Sequence, residues 1–241
     1  MISTCERCNK SFETDRKKIR FCSKDCSNKS NAKILENKIF EKPIKTVWSC
    51  GGGVDSVAIA VLIESGKLPK PDYAIMTDCG YECRKTMEYV NTVIIPRMAA
   101  VSVTLNVVRS SDYYDISLCT DKVVNIPAFR RNDDGSVSKY HTYCNGTWKQ
   151  KPTFKWLRQQ GVERAENWIG IASGEARRCT KSTLKWISIR YPLVEQGLSR
   201  EECVYMIAQA GWPRPFKTSC YMCPMKDARG WAMLKKDEPE D

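Results

Sequence analysis

Three consecutive glycines, Gly51, Gly52 and Gly53, stand just before Asp55 and Ser56 in the run TVWSCGGGVDSVAIA at 46–60. Glycine takes up positive φ without steric penalty, so the N–H groups of such a run can converge on one anion. The residues before it, Thr46 to Trp48, read as a strand. The apolar run after it, Val57 to Ile63, reads as a helix whose positive end aims at the same spot. Strand, glycine nest and helix N-terminus together make a phosphate site. A Walker loop is excluded, because that motif ends in Gly-Lys-Ser/Thr and no lysine stands here. The dinucleotide fingerprint is excluded by spacing, GGG in place of GxGxxG. The plainer alternative is a glycine-rich strand–helix turn that holds no ligand.

The cysteines are the second chemical signal, thirteen in all. Cys5-x2-Cys8 and Cys22-x3-Cys26 form two close pairs, the spacing of a tetrahedral zinc site. Phe12 and Phe21 are its expected hydrophobic support, and Arg16 to Arg20 an exposed basic turn. A segment this short cannot bury enough core to fold without such a staple. Near the other end, Cys220-Tyr221-Met222-Cys223-Pro224 has a spacing shared by iron–sulfur ligands, redox dithiols and zinc half-sites. Cys50, Cys119 and Cys203 lie in apolar settings and read as packed core thiols. His141 is the only histidine, which leaves no room for histidine-based hydrolysis or a histidine-rich zinc centre. Arg177, Arg178, Lys181 and Lys185 form a basic stretch suited to phosphate or nucleic acid, or simply to a solvated face.

These residues need a scaffold. At 241 residues and 42% hydrophobic, the chain fits one α/β domain with a small appendage. Boundaries are expected at 1–30 for a four-cysteine zinc finger, 31–45 for a basic linker with a short helix at 32–40, and 46–241 for the nucleotide domain. Further strands are expected at 73–77, 103–108, 168–172 and 186–190. Helices are expected at 84–100, with Pro96 kinking or ending it, at 147–160, disturbed by Pro152, and at 199–210. The last opens on the capping box Ser199-x-x-Glu202. Asn132 to Gly135 reads as a hairpin tip. Strands alternating with helices imply a doubly wound parallel sheet, Rossmann-like. Asp78 closes the strand at 73–77, where such sheets place ligand contacts. Six of the seven tryptophans, those at 148, 156, 168, 186, 212 and 231, are each expected in core or interface.

The net charge is +11, and residues 1–45 carry +6 of it. A basic terminal module points to DNA or RNA. There is no apolar run of 18 residues and no signal-peptide core, so no membrane partner is expected. Paired cysteines without an export signal place the chain in a reducing compartment, the cytoplasm.

GGGVDS resembles the PP-loop, the SGGxDS signature of the adenine nucleotide α-hydrolase superfamily. Asp55 and Ser56 match; Gly51 stands where the leading serine would be, and the nearest serine is Ser49. IMTDCGYECRKTMEYV resembles the DTG-x-E-x-x-x-T segment of phosphoadenosine-phosphosulfate-reductase-like proteins. It matches at Asp78, Gly80, Glu82 and Thr86, with Cys79 replacing threonine. YCNGTWKQKP resembles their CT-x-x-x-K-x-x-P segment, keeping Cys144, Lys149 and Pro152 with Asn145 in place of threonine. GIASGEARR, RYPLVEQGLSREEC and SCYMCP are similar to the C-terminal part of the group, so the likeness spans 46–231. The N-terminal four-cysteine segment resembles small treble-clef-like fingers.

The resemblance implies ATP held by Ser49, Gly51, Gly52, Gly53, Asp55, Ser56 and Asp78, with Asp55 near the pyrophosphate or its Mg²⁺. It implies cleavage between the α- and β-phosphates, giving an adenylated acceptor. It makes Cys144 the third partner of Cys220 and Cys223, either as thiols or on a [4Fe–4S] cluster with one iron open for sulfide; Cys179 is a weaker fourth. The expected function is adenylation for sulfur transfer to a nucleic acid, with a sulfur-donor protein as a further partner. A sulfonucleotide reductase is the first alternative, although its Glu-Cys-Gly-Leu-His segment and its Cys-Cys pair are both missing. A non-catalytic zinc-finger module that senses nucleotide is the second.

Overall fold

A computed structural model describes residues 2–15, 19–30, 42–118, 128–139 and 144–241. The expected helix at 32–40, Arg16 to Lys18 of the basic turn, Cys119 and His141 lie outside the described residues. The chain divides into two compact units, Met1–Ile44 and Lys45–Asp241. In the first, β1 (Ile2–Thr4) pairs antiparallel with β2 (Ser11–Glu13), Ser3 opposite Phe12. A short helical segment follows at 24–30.

The second unit is built on a five-stranded sheet. Its strands are β3 (Ile44–Ser49), β4 (Tyr73–Asp78), β5 (Leu105–Arg109), β8 (Arg164–Ile169) and β9 (Ile187–Arg190), in the order β5-β4-β3-β8-β9. The pairs β3–β4, β4–β5 and β8–β9 are parallel. The chain winds outward from β3 to β5, then returns to the other side of β3 and winds the opposite way. The order therefore reverses between β3 and β8, and a crevice must open beyond their C-terminal ends. A separate hairpin, β6 (Phe129–Arg131) with β7 (Val137–Lys139), turns at 132–135 as expected, with Gly135 at φ 80°.

Strand side chains alternate between two cores, as a period of two requires. On β3, Val47 enters one core and Trp48 the other; on β4, Ile75 faces one side while Ala74 and Met76 face the opposite side. The larger core also holds α1 (Val54–Glu64), which is buried from Val54 to Ile63. An apolar run with no polar face can only be a central helix. α2 (Arg84–Tyr89) continues through a π turn, Val90–Ile94, into α3 (Ile95–Ala100). The expectation that Pro96 kinks or ends this helix is corrected in form. Pro96 sits at the start of α3, and the wider turn before it, with Ile95 N–H donating to Val90 O, takes up the irregularity. The same device recurs at the π turn Cys144–Gln150 before α4 (Lys151–Gln159), which carries Pro152 in its first turn. α4 supplies Leu157 to the smaller core.

β8 ends at Ile169, so the strand expected at 168–172 begins and ends earlier in the chain. Its polar residues hid it. Glu166 accepts from Trp168 Nε1 at 2.8 Å, and Asn167 accepts from Ser49 Oγ at 2.8 Å, so both are satisfied within the sheet. Beyond β9, α5 (Pro192–Glu195) leads to α6 (Arg200–Gln209), which opens on the complete Ser199/Glu202 capping box. α7 (Ala228–Asp237) is followed by an acidic tail that caps α2, with Arg84 N–H on Asp241 and Lys85 N–H on Glu238, both at 2.9 Å. Trp148, Trp168 and Trp212 are buried, whereas Trp231 is 42% exposed.

Glu64 is the fastening point between α1 and the chain after α6. Its carboxylate takes Trp212 Nε1 at 2.7 Å and Arg97 Nε at 3.0 Å, and the guanidinium lies over the Trp212 ring at 4.7 Å. Glu64→Ala leaves the buried Trp212 N–H without an acceptor. It should cost about 1–3 kcal/mol in a denaturant melt, and Glu64→Gln should recover part of it.

Candidate functional site

The glycine loop lies where the strand order reverses. Cys50 N–H still bonds Ile75 O at 2.7 Å, and the chain then leaves the sheet. Gly52 adopts φ 69°, a left-handed conformation that a side chain resists. Ser56 Oγ accepts from Gly51 N–H at 3.0 Å and folds the loop onto the first turn of α1. Gly53 is the N-cap and offers no side chain, so no side chain caps the leading N–H groups of α1. They are left for a ligand.

Neighbours press closely on this loop. A Cβ on Gly53 would lie 2.7 Å from Thr218 Oγ1, and one on Gly52 would lie 3.2 Å from the methyl of Thr86. A Cβ on Gly170, just past β8, would lie 2.7 Å from the backbone carbon of Asp55. Only glycine lets the end of β8 pass this close to the start of α1. Thr86 Oγ1 is buried without a hydrogen-bond partner among the described residues.

The loop opens into a cavity of ≈ 1340 Å³ lined by Ser49, Gly51, Gly53, Asp55 and Ser56. Its acidic lining residues, Asp55, Glu82 and Glu175, each pair with one cation, Arg200, Lys149 and Arg178 respectively. Lys181, Arg214 and Lys217 also line the cavity and form no salt bridge among the described residues. The chamber therefore presents three uncompensated positive charges to a helix N-terminus, and its natural content is an anion carrying several charges. Of the basic stretch singled out in the sequence, Arg178 and Lys181 are in the lining; Arg177 and Lys185 are not among the lining residues.

Asp55 sits in the first turn of α1 and is 9% exposed. Burial pushes its carboxyl upward, and Arg200, 2.9 Å away, together with the Ala172 N–H, opposes that rise. Asp78 caps its own turn, accepting from Gly80 N–H at 2.7 Å, and is not a lining residue of the cavity.

At one edge of the chamber the cysteines arrange themselves differently from expectation. Cys220 Sγ lies 3.6 Å from Cys79 Sγ and 3.9 Å from Glu82 Oε1. Cys79 Sγ is 3.6 Å from the same oxygen, and Lys149 closes the group with an ion pair to Glu82. The hydrogen bond from Cys220 holds the Cys79 thiol below its ordinary value against burial, and raises that of Cys220, which burial raises further. Lys149 is kept charged: burial acts to lower it, but Glu82 prevails and raises it. Among the described residues no thiol contact joins Cys144 or Cys223 to Cys220. The described side-chain contacts of the Cys220 thiol are with Cys79 and Glu82. Cys50 and Cys203 are buried, as packed thiols should be; Cys179 is half-buried and joins no cysteine or carboxylate cluster among the described residues.

In the first unit, Cys5, Cys8, Cys22 and Cys26 bring their sulfurs within 4.8 Å of one another. Cys8–Cys22 is 3.6 Å and Cys22–Cys26 is 3.7 Å. Zinc–sulfur bonds of ~2.3 Å give a tetrahedron of edge about 3.8 Å, so this set fits one zinc ion. Cys5 and Cys8 flank a knuckle in which Asn9 takes φ 55° and its N–H bonds Cys5 O at 3.0 Å. Ser23 Oγ accepts from Cys26 N–H at 3.1 Å and sets the fourth thiol in the opening turn of the helical segment. N–H groups of Cys22, Cys8 and Arg7 donate to Cys5 and lower its thiol to about 6.

Sequence reasoning assigned no role to Arg200, Thr218, Gly170, Arg214 or Lys217. Cys79, Glu82, Lys149, Gly170 and Arg200 stood in the quoted motifs without one. Cys79 had a signal, a thiol where the related segments carry threonine.

No protein-family profile and no curated protein matches this chain. Among solved structures, it is similar to the U34-tRNA thiolase NcsA from Methanococcus maripaludis with its [4Fe-4S] cluster. The TM-score is 0.50 at 17% identity, over 99% of this chain and 84% of that one. A phosphoadenylyl-sulfate (PAPS) reductase from Candida auris, in a phosphate complex, is matched at TM-score 0.47 and 15% identity, over 80% of this chain and 89% of that one. The likeness to the thiolase is one of fold, a Rossmann-like α/β sheet.

Proposed function

We propose that this chain is an ATP-using enzyme of the PP-loop superfamily that adenylates an acceptor and releases pyrophosphate, as a step toward sulfur transfer. The observation that carries the reading is the uncapped N-terminus of α1, opening with its glycine nest into a cavity with three unpaired cations. The N–H groups of the first turn of α1 bind the phosphates. Lys181, Arg214 and Lys217 balance the negative charge that moves onto pyrophosphate as the α–β bond breaks. Arg200 exchanges its carboxylate partner for a phosphate oxygen. Asp55, freed on that side, is the residue that would hold Mg²⁺, whose part is to shield the phosphate charge. An acceptor oxygen attacks the α-phosphate, pyrophosphate leaves, and the acceptor is left as an adenylate.

The acceptor in this reading is a nucleic acid, supported by the net charge of +11 and the basic residues of 1–45. Cys5, Cys8, Cys22 and Cys26 hold one structural zinc. A sulfur-donor protein supplies the final step.

The test is pyrophosphate release from ATP in the presence of RNA or DNA. Asp55→Ala should lower it by about 100-fold or more, with the melting transition kept. Turnover at the parent rate in Asp55→Ala, or turnover of a sulfonucleotide in place of ATP, would sink the assignment.

A further inference from the structure

We propose that Cys79, Glu82 and Cys220 form a second metal site, in the edge of the nucleotide chamber, that takes one thiophilic divalent cation of the zinc type. Their ligand atoms all lie within 4.8 Å of one another. The two sulfurs are 3.6 Å apart, and Glu82 Oε1 is 3.6 Å from one and 3.9 Å from the other. Ligands of one tetrahedral ion with ~2.3 Å bonds to sulfur are separated by about 3.8 Å. That is the spacing of the four-cysteine set in the first unit, whose contacts are 3.6 and 3.7 Å.

The ligands are held by backbone and not by chance rotamers. Glu82 and Cys220 form an antiparallel bridge between their loops. Tyr221 N–H bonds Tyr81 O at 3.0 Å, and Cys83 Sγ donates to Ser219 O at 2.9 Å. Cys223 N–H bonds Cys220 O at 3.1 Å and closes the turn that carries the second thiol. A site fixed in this way binds an ion without first ordering its ligands. Cys79 is fully buried, and the Glu82 side chain is 4% exposed.

Charge supports the same reading. With a divalent ion bound, both thiols would be held as thiolates, and with Glu82 they would carry three negative charges that need compensation. Lys149, bonded to Glu82, supplies one positive charge and a divalent ion supplies two. Three protein ligands leave a fourth position open, the pattern of reactive and not of purely structural zinc sites. Glu82 and Lys149 line the cavity of the glycine loop and Cys79 and Cys220 do not, so the site borders that chamber through its carboxylate.

The experiment counts zinc, iron and acid-labile sulfide in the full chain, purified anaerobically, loaded with zinc and desalted. About two zinc ions per chain are expected. Cys79→Ser and Cys220→Ser should each lower the count to one, Cys8→Ser should lower it to one, and the Cys8→Ser/Cys79→Ser pair to none. Cobalt in place of zinc should give two sets of thiolate-to-metal charge-transfer bands, of which Cys79→Ser removes the weaker. One zinc in the parent chain overturns the site, as does a second zinc that persists in both Cys79→Ser and Cys220→Ser. Iron and sulfide lost with Cys220 would assign a cluster instead, and a Cys79–Cys220 disulfide without metal would assign a redox pair; either removes the proposal. The ATP reading is scored separately, because Asp55→Ala removes pyrophosphate release and leaves the metal count unchanged.

Discussion

Gly170→Ala should abolish pyrophosphate release and destabilise the second unit by about 1–3 kcal/mol, the cost of overpacking a close contact. The new Cβ would stand 2.7 Å from Asp55 C, 2.8 Å from Asp55 O and 2.8 Å from Ser56 N. All three atoms are backbone, so no rotamer change relieves the contact. Either the end of β8 withdraws or the first turn of α1 moves with its N–H groups. A displacement near 1 Å at a reacting centre lowers rate by about 100-fold. The measurement pairs a thermal melt with pyrophosphate release. Gly174→Ala is the control, because nothing lies within 4 Å of its added Cβ and it should behave as the parent. Parent-like melting and turnover in Gly170→Ala would show that the close passage of β8 over α1 does not position the phosphate site.

Cys8→Ser should unfold the described N-terminal residues while the second unit keeps its melting transition. The first unit has a three-residue hairpin and a short helical segment, and its buried cysteines Cys5 and Cys26 are the only hydrophobic core residues found there among the described residues. So small a core cannot repay the chain entropy of ordering. Structural zinc supplies an apparent ~10–16 kcal/mol in such modules, which exceeds what the protein contacts provide. Loss of one thiolate should therefore erase amide protection at Cys5 and Asn9, whose N–H groups bond Lys10 O and Cys5 O. Hydrogen exchange read by mass spectrometry separates the two units. Protection at Cys5 and Asn9 that survives in Cys8→Ser would show that the knuckle folds without metal.

Features written in adjacent residues were legible from the start. The run Val57 to Ile63 has no polar side, so it had to be a buried helix, and α1 is buried from Val54 to Ile63. Ser199 and Glu202 face each other over a single turn and form the complete capping box. Asn132 to Gly135 lies between two short alternating strands and turns as a hairpin. The two N-terminal cysteine pairs converge because each pair already sits within one knuckle or one helical turn. Where local signals conflicted, the reading slipped. Glu166 and Asn167 look like the end of a strand until Trp168 and Ser49 are seen to satisfy them.

What the sequence by itself determined is the alternating α/β order, the glycine loop leading into a buried helix at Gly51 to Ser56 and the N-terminal cysteine knuckles, because each depends on side chains a few residues apart. What only the tertiary structure decided is which distant groups face that loop. Arg200 meets Asp55 across 145 residues, Lys149 meets Glu82 across 67, and Cys220 meets Cys79 across 141. Nothing in the spacing of such residues encodes their meeting. It follows from the reversal of strand order between β3 and β8, which brings the ends of β3, β4 and β8 and the loops after them to one edge of the sheet. That reversal also turned Cys79 from a substitution in a motif into the partner of Cys220.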